Sequence, residues 1–167
     1  MSTKTDFSSV EWEVLRDAPH LVVLAVAAAG SSGIFGSIAE AIAPSGTIVD
    51  ALKGSNQLLR EVCGKEEVKA SIESIKGLAK TGDSFADIQA AFRKEAIAKS
   101  RTALDILRQK GSPEDIAAYR NFLVTLGDKV ASAAKEGDFL GFGGERVSEH
   151  ERSLLAELAK AVGAAQA

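Results

Sequence analysis

The stretch Leu21 to Ala29, LVVLAVAAA, has no polar side chain. Wound into a helix it is apolar all round, and such a helix belongs in the centre of a protein or in a membrane. The uncharged segment runs on to Ala39, but Gly30, Ser31, Ser32, Gly33, Gly36 and Ser37 dilute its second half. A spanning helix needs roughly 20 predominantly apolar residues, and the flanks lack the Lys/Arg asymmetry that orients one. The segment therefore reads as a buried hairpin over Leu21 to Ala43. Leu21, Val22, Val23, Leu24 and Val26 lie in its first arm, and Ile34, Phe35 and Ile38 in its second. The alternative is a hairpin that leaves the core, which would make the chain a peripheral membrane or lipid-binding protein.

The rest of the chain offers helices to cover that centre. Alanine, the best helix former, is abundant, and the helix breaker proline occurs only at 19, 44 and 113. Ser8 and Glu11 fit a capping box, with Phe7 and Trp12 as a hydrophobic staple. Pro19 predicts a kink or a new start near Asp17. Residues 45–62 are amphipathic with a weak point at Gly54, and Lys65 to Lys80 reads as a surface helix. Ser84 caps a helix to about Gln109 with Phe85, Ile88, Phe92, Ala96, Ala103 and Leu107 inward. Ser112-Pro113-Glu114-Asp115 restarts the chain as a helix to about Lys135. Its stripe of Ile116, Tyr119, Leu123, Leu126, Val130 and Ala133 suits antiparallel packing on the helix before it. Ser148 and Glu151 open a last helix that buries Leu155, Leu158 and Val162. No window shows strand alternation. The expectation is an all-α, single-domain bundle of about six to eight helices spanning residues 1–167, with a central apolar hairpin and two long antiparallel helices. Residues 1–6 read as a disordered tail and 164–167 as a frayed C-terminus.

Few functional classes draw support. A net charge of −3 argues against nucleic-acid binding, which needs a basic surface to displace counterions. The single cysteine, Cys63, allows no intrachain disulfide and has no evident base beside it. The polar start does not look like a signal peptide, so the chain reads as cytoplasmic. Asp17-x-x-His20 supplies only half of a paired carboxylate–histidine metal motif, and Glu149-His150-Glu151 places neighbours on different helix faces. No catalytic residue, cofactor site or metal site is therefore expected, and the chain is not expected to be an enzyme. The basic residues Arg93, Lys94, Lys99, Arg101, Arg108 and Lys110 read as a solvated helix face. The apolar, glycine-rich loop around Phe139, Leu140, Phe142, Gly143, Gly144 and Arg146 reads as a plug for the end of the bundle, or as an interaction tip.

Glu11-Trp12, Leu15, Ala18-Pro19 and Leu21-Val22 near the start, with Phe139 to Gly144, Val147-Ser148, Glu151 and Leu154 near the end, resemble an uncharacterised family of small bacterial helical proteins. That resemblance brings no established activity. A second, fainter resemblance is to TerB-like domains of tellurite-resistance and stress systems. It rests on Gly144-Glu145-Arg146-Val147-Ser148 and Glu151, which keep the second half of a turn leading into a helix. The Asp-Gly of that turn is missing, so metal binding does not carry over. The functional expectation is a non-enzymatic bacterial interaction or adaptor protein acting through helix-face or loop contacts. Its partner is another protein or a second copy of itself.

Overall fold

A single long helix organises the molecule. In the computed structural model, which describes residues 1–30, 46–80, 84–136 and 147–164, α1 (Ser9–Gly30) is packed on by helices from the rest of the chain. The other helices are α2 (Gly46–Lys53), α3 (Gln57–Val62), α4 (Lys65–Ile75), α5 (Phe85–Lys110), α6 (Pro113–Glu136) and α7 (Glu149–Val162), of which α4, α5, α6 and α7 pack on α1. Short 3-10 turns occupy Lys4–Asp6 and Leu78–Lys80. Among the described residues there are seven α-helices and no strand, so the fold is all-α.

The apolar stretch lies where its composition demands. Leu21, Val22, Val23, Leu24 and Val26 are all 3% exposed or less. The second arm of the expected hairpin, with Ile34, Phe35 and Ile38, lies outside the described residues. The two long helices α5 and α6 meet at Gly111 and Ser112, yet each packs more extensively on α1 than on the other. Leu123 on α6 is fully buried. Gly127 permits close approach, because a Cβ there would stand 2.8 Å from Cδ2 of Leu155 on α7. In α7 the deeper residue is Leu154, at 2% exposure, while Leu155 is only partly buried.

Of the kink or new start expected at Pro19, the new start does not occur: α1 runs through the proline as one helix. A proline in a helix leaves the carbonyl four residues earlier without its backbone donor. That carbonyl belongs to Leu15, and the Tyr119 hydroxyl, arriving from α6, donates to it at 2.6 Å. Both residues are fully buried. The side chain of a distant helix thus replaces the amide that proline lacks, and the buried carbonyl stays satisfied.

Residues 1–6, expected as a disordered tail, are held in place. The Ser2 amide and hydroxyl donate to Oδ2 of Asp115 at 2.8 and 3.0 Å. Asp115 also forms the capping box of α6 with Ser112 and accepts from the Asn56 amide at 3.2 Å. One buried carboxylate so fastens the N-terminal residues, the start of α3 and the start of α6. Burial pushes this carboxyl up, but the bonds from Ser112 and Ser2 outweigh it and hold it below the usual aspartate range. The Ser8–Glu11, Ser84–Asp87 and Ser148–Glu151 boxes form as their spacing predicts. Gly163, at φ 69°, closes α7 in the left-handed conformation that glycine tolerates.

Candidate functional site

Two polar places deserve comparison as sites: a cluster inside the bundle and a groove on its surface. The inner one gathers around Asp17, which is fully buried. Its Oδ1 accepts from Arg16 Nε at 2.8 Å, and its Oδ2 accepts from Ser74 Oγ at 2.8 Å and Lys99 Nζ at 3.1 Å. Burial pushes the carboxyl up, but the bonds from Arg16 and Ser74 and the charge of Lys99 prevail and hold it below the usual range. His20 lies one turn on and is 1% exposed. Its Nδ1 donates to the Arg16 carbonyl at 3.0 Å, which leaves Nε2 as a buried acceptor with no partner. Burial pushes the imidazole's pKa down, so the ring is held neutral. Cys63 is buried too, and its thiol is pushed up to about 12 by that burial. This is the setting of an inert structural cysteine.

The Asp17-x-x-His20 pair is therefore turned inward and spent on structure. Among the described residues, no three His, Cys, Asp or Glu side chains stand close enough to share a metal ion. Nor is any described helix long and apolar enough to cross a membrane.

The outer place is a groove between α5 and α7, floored by the end of α1. One part, of about 200 Å³, is lined by Ala25, Ala29, Ala86, Gln89, His150 and Leu154. A second part, of about 350 Å³, continues along α5 past Lys94, Ile97, Ala98 and Arg101 to Glu157. Ala90 and Arg93 belong to both. Small side chains make the hollow, since Ala86, Ala90 and Ala98 lie exposed along α5. Gln89 fixes one wall by donating to the Ala28 carbonyl. Arg93 spans the floor to Glu157 at 2.7 Å and Ser153 at 2.9 Å.

The basic residues of α5, expected to form one solvated face, divide. Lys99 turns in to Asp17, Arg108 pairs with Asp105 at 2.6 Å, and Lys110 reaches Glu11 at 2.6 Å. The Lys110 bond, helped by Ser8, holds the Glu11 carboxyl down to about 2. Lys94 and Arg101 are exposed, have no described partner, and lie on the groove. The expected interaction loop of Phe139, Leu140, Phe142, Gly143, Gly144 and Arg146 lies outside the described residues. Searches against family models, curated proteins and solved structures gave no match.

The groove has no single sequence signature. Its clue is the exposed alanine at three positions of α5, beside two cations that have no ion-pair partner among the described residues.

Proposed function

We propose that this chain is a non-enzymatic adaptor of the bacterial cytoplasm, and that it receives a partner protein's helix in the α5–α7 groove. The observation that carries this reading is the groove's make-up: an alanine floor that lets another backbone approach closely, flanked by the unpaired Lys94 and Arg101. Helix-in-groove recognition uses such a pattern, with apolar anchors in the trough and charges at the rim. The partner helix is accordingly small-faced and acidic at its edges. The buried acids support the same reading, because Asp17 and Asp115 are fully committed to holding helices together. The resemblance of the last helix start to TerB-like domains is in keeping with a role in a stress-related system.

A photo-crosslinking residue placed at position 90 tests this in cells. The expected result is one covalent adduct of defined mass with a second protein, absent when the same residue replaces the exposed Glu73 on α4. Reversing both rim charges, Lys94→Glu with Arg101→Glu, is expected to weaken adduct formation about tenfold or more. An adduct that forms equally from both positions, or that survives the charge reversal, would refute the groove. A homodimer as the sole adduct would make the partner a second copy.

A further inference from the structure

The face of the molecule away from the α5–α7 groove carries a second hollow, a cleft of about 380 Å³ between α2, the α2–α3 turn and α6. Three observations there point to a ligand. First, Asp50 on α2 and Lys129 on α6 both line it and are both exposed. Among the described residues neither is paired with the other or with anything else. The cleft therefore carries one free charge of each sign. Second, Thr47 lines the cleft at 9% exposure, and its Oγ1 has no hydrogen-bond partner. A buried hydroxyl without a partner is uncommon and calls for an explanation. Third, Leu59 and Phe122 give the cleft an apolar floor, at 9% and 6% exposure. The volume falls at the small end of ligand pockets.

These features select a ligand chemistry. A simple anion would satisfy Lys129 but meet the Asp50 carboxylate, and a simple cation would meet the reverse. A molecule with an amine at one end and a carboxylate at the other satisfies both. We propose that the α2–α6 cleft binds a small zwitterion of dipeptide size. Its ammonium group pairs with Asp50, its carboxylate pairs with Lys129, its amide is within reach of the Thr47 hydroxyl, and its side chain rests on Leu59 and Phe122. The site is independent of the α5–α7 groove and does not depend on the adaptor reading.

Titration of the labelled full chain with alanyl-leucine, followed by backbone NMR, tests the proposal. The expected result is saturable shifts at Thr47, Asn121 and Thr125, with N-acetyl-alanyl-leucine and alanyl-leucine amide each binding about tenfold more weakly, as one lost charged contact implies. Asp50→Asn should weaken the free dipeptide yet leave the N-acetyl form as it was, and Lys129→Met should do the same for the amide form. Because Asp50 and Lys129 are exposed and unpaired, both variants should melt like the parent chain. Thr47→Val separates binding from folding: with no bond to lose, the variant should keep its stability and still bind less tightly. Equal binding of the blocked and free dipeptides, shifts indifferent to both charge variants, or no saturation by about 10 mM would each overturn the proposal.

Discussion

Up to His20, α1 carries Asp17 and His20 into the interior around Pro19; beyond it, from Leu21 to Val26, only aliphatic side chains are buried there. The first half is held by directional bonds, from the neighbouring Arg16 side chain and from three other helices. Ser74 arrives from α4, Lys99 from α5 and Tyr119 from α6. The second half is held mainly by packing, with a bond from Gln89 to the Ala28 carbonyl near its end. Asp17 and His20 are as deeply buried as Leu21 to Val26, yet the two stretches respond in two ways. The apolar half is sensitive to volume and indifferent to pH, whereas the polar half is sensitive to single atoms and to protons.

Substitutions can break this contrast. Leu24→Ala, in the apolar half, should cost the most, about 2–5 kcal/mol, with the same loss at pH 5 and pH 7.5 in urea melts. A strong pH dependence of that loss would show that the two halves are not separate. Asp17→Asn should cost about 3 kcal/mol. That is the low end for breaking a buried ion pair, because Lys99 and Arg16 retain 23% and 14% side-chain exposure and can recover some water. Asp17's lowered pKa means that its contribution is present above the ordinary value of 3.8 and lost as pH falls through its lower folded value. The variant should therefore have a shallower acid limb.

Tyr119→Phe should cost about 1–3 kcal/mol by leaving the Leu15 carbonyl unsatisfied. Pro19→Ala restores a backbone donor to that carbonyl, so the tyrosine change should cost much less in the alanine background. A double-mutant cycle reads this directly, and equal costs in both backgrounds would separate Tyr119 from Pro19. The smallest effect is the protonation of His20. Its folded pKa lies below the ordinary 6.5, so the unfolded chain takes up the proton first. Stability should be level above about pH 7 and then fall by at most about 1.4 kcal/mol per pH unit below 6.5. His20→Leu should remove that part of the slope, and an unchanged slope would assign it to other groups.

The legible parts of the fold were those written within a few residues. Ser84, Ser112 and Ser148 mark helix starts because a capping box closes over three residues, and those helices begin where the boxes place them. Leu21 to Val26 could be placed at the centre because no other location in water suits an all-apolar helix. That Pro19 starts no new helix was not legible, because the hydroxyl that serves the Leu15 carbonyl is 104 residues away. Lys99 looked solvated for the same reason, since its partner Asp17 is 82 residues distant. The N-terminal residues looked free because Ser2 and Asp115 are 113 residues apart. Neither surface cleft was legible. Asp50 and Lys129 share one only because α2 and α6 pack together, and nothing local to either residue announces it.

The central position of α1 has a consequence for the chain as it is made. α1 is translated before α5, α6 and α7, the helices that cover its apolar half. Until those residues leave the ribosome, Leu21 to Val26 lack the cover that these three helices supply. At roughly 5–20 residues per second, that interval lasts several seconds, long enough for a chaperone to engage. The finished fold also depends on contacts between distant parts of the chain, which slows folding relative to bundles whose helices pack on their immediate neighbours. A chain ended at residue 80 should accordingly bind a hydrophobic dye such as ANS and be rapidly proteolysed, and supplying residues 84–164 in trans should protect it. Protection of the shortened chain by itself would show that α1 finds early cover nearer to hand.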